Sequence, residues 1–273
     1  MAADAFGAAA DPVGTDPVDA AAVAAFDKQY TGLRLPPVAV VIAAYDEEGA
    51  VGAVVRAIPD RIAGLDARVI VVVDGATDGT AAEAREAGAL VCDVPVNRGQ
   101  GAALRLGYLL ARTHGAQYIA TTDADGQYDP EDLHRVVAPL VAGDADFVTG
   151  SRVLGAAHTT DRTRRLGVTV FAGVISVLTG QRITDPANGL RAMRAEVTGA
   201  VRLLQPQYQA SELLISAMAR GYRVAEVPTT MSERSAGETK KGRNLLYGVR
   251  FGRVVVTTWW RERRSGPAKT TSS

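Results

Sequence analysis

An α/β fold, with a mainly parallel sheet flanked by helices in a single domain, follows from three features of this 273-residue sequence. Short β-branched apolar runs alternate with longer stretches of helical periodicity. The connections between them are short. Apolar residues make up 47% of the chain, enough for a core along most of its length. The predicted strands are residues 38–44, 68–74, 90–94, 118–122, 147–150 and 223–227, each nearly continuous in hydrophobicity, as strands covered on both faces are. Predicted helices fill the gaps at 48–58, 80–87, 101–112, 130–141, 165–178, 197–204 and 211–220. Pro130 suits a first helical turn, with Asp129 before it as a cap. Residues 1–34, rich in Ala, Asp, Pro and Gly, read as a disordered tail with at most one helical turn near 23–30. The domain is expected over 35–242, a basic amphipathic helix over 243–264, and a second tail over 265–273.

Composition removes several function classes. Lys plus Arg and Asp plus Glu number 30 each, so bulk charge gives no reason to expect a nucleic-acid partner. Cys92 is the only cysteine, which excludes an intrachain disulfide, and His114, His134 and His158 are scattered without a zinc spacing. No basic segment leads into an apolar run at the N-terminus, and no stretch approaches about 18 uninterrupted apolar residues. A cytoplasmic protein is the expectation.

In parallel sheets, ligands bind beyond the carboxyl ends of strands. Four predicted strand ends carry acids, small residues or an arginine: Tyr45-Asp46-Glu47-Glu48, Asp74-Gly75-Ala76-Thr77-Asp78-Gly79-Thr80, Asp123-Ala124-Asp125-Gly126-Gln127 and Gly150-Ser151-Arg152. The sharpest is Asp123-Ala124-Asp125. Two carboxylates one residue apart at the end of a buried strand repel unless a cation or proton neutralises them. Mg²⁺ or Mn²⁺ suits such oxygen ligands and completes its shell with water and phosphate. It would also offset charge on a departing diphosphate. Asn97-Arg98-Gly99-Gln100-Gly101 opens a helix, where N–H groups favour phosphate. Leu104 and the position after the third strand argue against a dinucleotide fingerprint.

These segments, followed by Asp185-Pro186-Ala187-Asn188-Gly189, Glu226-Val227-Pro228 and Arg234-Ser235-Ala236-Gly237-Glu238-Thr239-Lys240, resemble in order and spacing glycosyltransferase family 2, in its dolichol-phosphate-mannose-synthase-like branch. The resemblance implies a GT-A fold and inverting transfer of a sugar from a nucleotide-sugar to a polyprenyl phosphate. It assigns the donor site to Ala43, Tyr45, Glu47, Asp74, Asp78, Arg98, Gly101, Asp123 and Ala124. The metal, Mg²⁺ or Mn²⁺, falls to Asp123, Asp125 and Gln127. Acceptor phosphate or diphosphate falls to Arg152, Arg165, Arg234 and Lys240. Asp125, Asp185, Glu212 and Arg152 are the candidate catalytic residues. The chain departs from the family at Asp46, Val73 and Ala76, near the expected base-binding turn, which leaves GDP-mannose and UDP-glucose both as candidate donors.

An acceptor phosphate is already ionised and needs no strong base, so catalysis would rest on positioning and charge neutralisation. A hydroxyl acceptor, on a soluble or polysaccharide-precursor molecule, needs a carboxylate to take its proton, with Asp185 and Glu212 as candidates. The segment 165–178 reads as a core helix. On a helical wheel Arg243, Arg250, Arg253, Arg261 and Arg264 form one stripe, with Leu245, Val249, Val255, Val256, Trp259 and Trp260 opposite. This reads as a helix lying on a membrane surface, which predicts peripheral attachment beside a lipid-borne acceptor. The competing expectation is that the apolar face docks on the domain or on a dimer partner.

Overall fold

The computed structural model of the protein describes residues 16–157, 162–205, 208–232 and 244–265. In chain order the elements are α1 (Pro17–Gln29), β1 (Val38–Ala44), α2 (Val51–Ala57), β2 (Arg61–Ile62), β3 (Leu65–Asp74), α3 (Thr80–Glu86), β4 (Leu90–Val94), α4 (Gln100–Thr113) and β5 (Tyr118–Thr121). Then come α5 (Asp132–Val141), β6 (Phe147–Ala157), α6 (Arg162–Thr179), β7 (Arg191–Arg194), α7 (Ala195–Ala200), α8 (Gln209–Ala219), β8 (Val224–Met231) and α9 (Asn244–Ser265).

The strands form one mixed sheet in the order β4-β3-β1-β5-β7-β6-β8, with β2 antiparallel to the start of β3. β4, β3, β1 and β5 run parallel, as do β6 and β8. Period-two geometry sends alternate residues of one strand to opposite faces. Ala39 and Val41 of β1 join Ile70 and Val72 of β3 in the core under α1, α4, α6, α8 and α9. Val38, Val40 and Ile42 join Val69, Val71 and Val73 in the core under α2, α3 and α5. Both faces are covered, which is why these strands read as unbroken apolar runs.

Each predicted strand exists, and two elements of the sheet were not anticipated. β7 runs antiparallel between β5 and β6, pairing Thr121 with Arg191 and Val148 with Ala192. Its sequence, Arg-Ala-Met-Arg, offers no apolar run. Because it is reversed, the residues that enter it, Asn188 and Gly189, arrive at the same sheet edge as the carboxyl ends of β5 and β6. β2 is only two residues long. β6 extends beyond its predicted end, with a shift of register against β8 between Ser151 and Ala156.

The tail expected over 1–34 needs correcting. Residues 17–29 form α1, capped by the Asp16 side chain, which accepts from Val18 N at 2.8 Å, with Pro17 in the first turn. Ala22 and Phe26 bury in the main core, and the Tyr30 hydroxyl accepts from Val91 N at 2.9 Å. The helix starts also shift. Asp129 accepts from Glu131 N at 3.0 Å, so the expected cap forms, but it caps a turn that precedes α5.

Helix α9 packs on α8 and α6. Phe251, Val254 and Val255 are buried, and the Trp259 indole donates to Leu178 O at 2.7 Å. Domain docking therefore takes Val255 and Trp259 of the expected apolar face, while Val256 and Trp260 stay exposed. Arg261 leaves the expected basic stripe and turns inward. Among the described residues no helix is long and apolar enough to cross a membrane.

Candidate functional site

The carboxyl edge of the sheet is organised first by two loops bonded to each other. Asp46, at φ +49°, accepts from Thr77 N at 2.9 Å, and Glu48 accepts from Gly79 N at 2.9 Å. In return Glu47 N donates to Thr80 Oγ1 at 2.8 Å and Glu48 N to Asp78 Oδ2 at 3.1 Å. Glu83 of α3 accepts from Gly49 N at 2.6 Å and Gly52 N at 3.0 Å, which caps α2 across the gap. Asp78 also takes the Thr80 N–H and hydroxyl; burial acts to raise its carboxyl, but these hydrogen bonds outweigh it and hold it below the usual range. The Tyr45 ring stands out at 38% exposure.

Asp74 closes β3 and is almost fully buried. Both oxygens accept from Arg98 N, at 3.1 and 3.0 Å, and Oδ2 accepts from Gly99 N at 2.6 Å. Burial raises its carboxyl above the ordinary value against these bonds. Gly75, at φ +69°, is required here because a Cβ would lie 2.2 Å from Asn97 N. The turn 97–99 is thus pressed against the end of β3 and delivers the first turn of α4, with Gly101 buried in it. The Arg98 side chain points elsewhere, to Asp16 and Asp19 of the α1 region.

Asp123 and Asp125 follow the end of β5 on the same rim, where β5 runs parallel to β1 up to the pair Val41–Thr121, with Ala124 buried between them. Asp125 is 6% exposed and accepts from Gln127 N at 3.2 Å. Gln100 Nε2 lies 3.3 Å from Asp123 Oδ1. Gly189 lies against the Asp123 carboxylate, where a Cβ would stand 2.8 and 2.9 Å from its oxygens, and Gly189 N donates to the Tyr128 hydroxyl at 2.8 Å. Burial raises the Tyr128 phenol, so it stays a neutral acceptor. A groove of about 300 Å³ runs from Asp123 and Asp125 between α2 and Leu133, walled by Ala50, Ala53, Val54 and Tyr128. The Gln127 side-chain amide donates to Ser232 O at 3.0 Å, and Ser232 N returns a bond to Gln127 O at 2.8 Å. Among the described residues no three His, Cys, Asp or Glu side chains cluster as a metal cage.

Arg152 and Asp185 meet across the rim. Asp185 is fully buried and takes Arg152 Nε at 2.6 Å and Nη2 at 2.7 Å, a bidentate pair, plus Arg152 N at 3.1 Å and Asn188 Nδ2 at 3.3 Å. Glu226, from β8, fixes the loop that carries Asp185 by accepting from Asp185 N at 3.0 Å and Thr184 N at 2.8 Å. Burial acts to lower the Arg152 guanidinium, but Asp185 outweighs it and holds it above its ordinary value. Arg152 Nη1 faces the Met231 sulfur at 3.4 Å.

Two expected roles change. Glu212 is fully buried and accepts from Leu204 N at 2.9 Å, Gln205 N at 2.9 Å and Arg261 Nη1 at 2.8 Å. A carboxylate so enclosed, and anchored to α9, holds the entry to α8 and is not placed to meet a substrate. Asp185 as a general base meets a similar obstacle, since both oxygens are engaged by Arg152. Arg165 lies on α6, with its side chain outside the described residues, and Arg234 and Lys240 also lie outside them. Residues not anticipated are Asp19, Glu83 and Tyr128. Asn188 and Gly189 stood in the segment 185–189 quoted for the resemblance, but without an assigned role.

Comparison with known proteins gives a consistent result. The family model described as Glycosyl transferase family 2 matches residues 39–201. A dolichyl-phosphate hexose transferase of Haloferax volcanii is 36% identical over 226 residues, covering 82% of this chain and 95% of that protein. A polyprenol monophosphomannose synthase of Mycolicibacterium smegmatis is 34% identical over 190 residues, covering 65% and 71%. The crystal structure of glucosyl-3-phosphoglycerate synthase from Mycobacterium tuberculosis, in complex with Mn²⁺, UDP and glucosyl-3-phosphoglycerate, superposes with a TM-score of 0.62. It is 22% identical and covers 90% of this chain and 85% of that one, a likeness of fold.

Proposed function

The chain belongs to glycosyl transferase family 2, and we propose that this hexosyltransferase moves a sugar from a nucleotide-sugar, GDP-mannose or UDP-glucose, to a polyprenyl phosphate. One observation carries the choice of acceptor. The carboxylates that could deprotonate a hydroxyl acceptor, Asp185 and Glu212, are fully buried and already hold several donors each. An acceptor phosphate needs no such base. Relatives named for dolichyl phosphate and polyprenol support the same reading.

The Asp123 and Asp125 carboxylates fit a divalent ion: they share a loop at the rim, and Gly189 packs against Asp123 without a side chain that would displace its carboxylate. Two acidic ligands with the rest of the shell open suit Mg²⁺ or Mn²⁺ bound to phosphate oxygens. When bound, the ion would neutralise charge on the leaving nucleoside diphosphate. The N-terminal turn of α4, beside the Asp74-bound turn, is oriented to receive phosphate on its N–H groups. Arg152 can meet acceptor phosphate only through its Nη1 edge, beside Met231, because Nε and Nη2 are held by Asp185 and the pair is neutral overall. An acceptor oxygen then attacks the anomeric carbon from the face opposite the diphosphate, the bond to the diphosphate breaks, and no proton moves.

Peripheral attachment to a membrane extends this reading. Val170, Val174 and Val177 recur along the outer face of α6, with Val177 84% exposed. Val256 and Trp260 lie on the outer face of the adjoining α9, where the Arg264 guanidinium stacks 3.3 Å from the Trp260 ring centroid. Val153 and Leu154, next to Arg152, are exposed as well. Apolar side chains rimmed by arginines suit an anionic bilayer surface and a lipid acceptor.

The test is an extraction. Protein, Mn²⁺ and radiolabelled donor are incubated with a polyprenyl phosphate and partitioned into organic solvent. Label should enter the lipid phase. Transfer only to water-soluble acceptors would reject the acceptor assignment in favour of a hydroxyl acceptor.

A further inference from the structure

Helix α1 lies outside the stretch matched by the family model, which begins at residue 39, yet it touches the candidate donor site. Asp19 is 3% exposed, and its carboxylate meets the Arg98 guanidinium; Asp16 Oδ2 lies 3.4 Å from Arg98 Nη1. The same arginine's N–H is held by Asp74. Arg98 is thus fixed at both ends, its backbone to β3 and its side chain to α1. The next residue, Gly99, also donates to Asp74, and the one after it, Gln100, starts α4 and reaches Asp123 at 3.3 Å. A continuous path of bonds therefore runs from α1 to the proposed metal carboxylate.

The pair is not the sole anchor of α1. Phe26 packs between Tyr30 and His114, with ring centroids 4.7 and 5.6 Å away, and Asp27 bonds His114 Nε2 at 3.0 Å. A buried ion pair contributes little net stability beside apolar side chains of the same shape, whereas this one sets where the Arg98 side chain lies. The charge of Arg98 is also spent on two carboxylates, so it is not offered to a nucleotide.

We propose that Asp19 is a positioning residue for the donor: by drawing the Arg98 side chain onto α1 it holds the turn 97–99, and with it the first turn of α4, in the form that receives the nucleoside diphosphate. This rests on the donor-site reading of Asp74 and the α4 N-terminus. Asp19 acts through Arg98 and touches no reacting atom.

The experiment compares Asp19→Asn with Asp27→Ala, which loosens the same helix without touching the turn. Donor KM and kcat are measured, together with calorimetric titration of UDP and of GDP in the presence of Mn²⁺. Asp19→Asn should raise donor KM and nucleotide Kd about tenfold, the equivalent of about 1.4 kcal/mol, with kcat within about twofold. Asp19→Glu should restore part of the loss, and Asp27→Ala should leave KM unchanged. If Asp19→Asn fails to fold, the double variant Asp19→Leu with Arg98→Met replaces the ion pair by apolar side chains and should show the same KM rise. An unchanged KM in the folded variant overturns the proposal, as does an equal rise in Asp27→Ala. A lower KM overturns it too, since Arg98 would then have been withheld from the donor to no benefit. Wild-type protein that binds neither nucleotide instead refutes the donor-site reading itself, a separate outcome.

Discussion

Replacing Gly189 by Ala puts the Asp123 geometry under direct test. A Cβ built at Gly189 stands 2.8 Å from Asp123 Oδ2, 2.9 Å from Oδ1 and 3.1 Å from Cγ. Ordinary van der Waals contact begins near 3.4 Å, so the carboxylate must retreat by about 0.6 Å. Gly189 cannot give way easily, because its N–H is bonded to the buried Tyr128 hydroxyl and its carbonyl accepts from Thr121 Oγ1 at 2.8 Å. Asp123 therefore moves. Displacements of this order in a positioned group cost up to about a hundredfold in rate. Because the clash falls on the end of a half-exposed side chain and not on backbone, its relief costs less than core overpacking, about 1 kcal/mol. With about 2–4 °C per kcal/mol for a chain of this size, the expected Tm drop is roughly 2–4 °C. Gly189→Ala should accordingly remain folded at 25 °C, lose about 10- to 100-fold in kcat/KM, and need more Mn²⁺ to reach half-maximal rate. Steady-state transfer across a Mn²⁺ series, beside a thermal melt, reads all three. Full activity at low Mn²⁺ in a folded Gly189→Ala protein would refute the placement of the ion on Asp123.

Other substitutions separate architecture from chemistry. Glu212→Ala strips a buried carboxylate from three backbone and guanidinium donors and should destabilise by about 3–5 kcal/mol, while turnover per folded molecule at 20 °C stays near wild type; a stable but inactive variant would return Glu212 to the catalytic list. Asp146 is held below its usual value chiefly by hydrogen bonds from Arg223, at 2.8 and 3.0 Å, and by its charge. A depressed carboxylate contributes stability above its unfolded value of 3.8 and loses it as pH falls through the lower folded value. Denaturant melts should show Asp146→Asn less stable than wild type by roughly 1 kcal/mol at pH 7, with the gap closing below pH 3.8; a gap independent of pH would contradict the assignment. Val177→Asp with Trp260→Asp should abolish flotation with anionic vesicles without lowering transfer to a detergent-dispersed acceptor. Undiminished flotation would place the membrane contact elsewhere.

Those features of the site that depend on short-range pattern were legible in the sequence. β1, β3 and β5 are apolar on both faces, so their ends were unambiguous, and Asp74, Asp123 and Asp125 at those ends were found with them. Long-range partners were not legible. Nothing near Asp185 announces that Arg152, thirty-three positions earlier, will close on both its oxygens, and the same holds for Glu212 and Arg261. β7 was hidden because Arg191 and Arg194 interrupt its apolar pattern, although the structure buries residues 191–193. α1 was hidden by composition: its contact with the core uses Ala22 and Phe26 with the partly buried Val18 and Val23, too few large apolar residues among alanines and charges to stand out. Arg98 was expected at the donor, and without α1 there was no reason to look for its partners elsewhere.

The reciprocal bonds between the segments 46–52 and 77–83 have a consequence for how this protein can change. Acids that look like free surface charge, Asp46, Glu48, Asp78 and Glu83, are cross-braces, each gripping the amide of a neighbour some thirty residues away. Neither segment can drift alone. A new donor preference on this side of the rim would then have to arise through coordinated replacements in both, or through a side chain such as Tyr45, whose ring is 38% exposed.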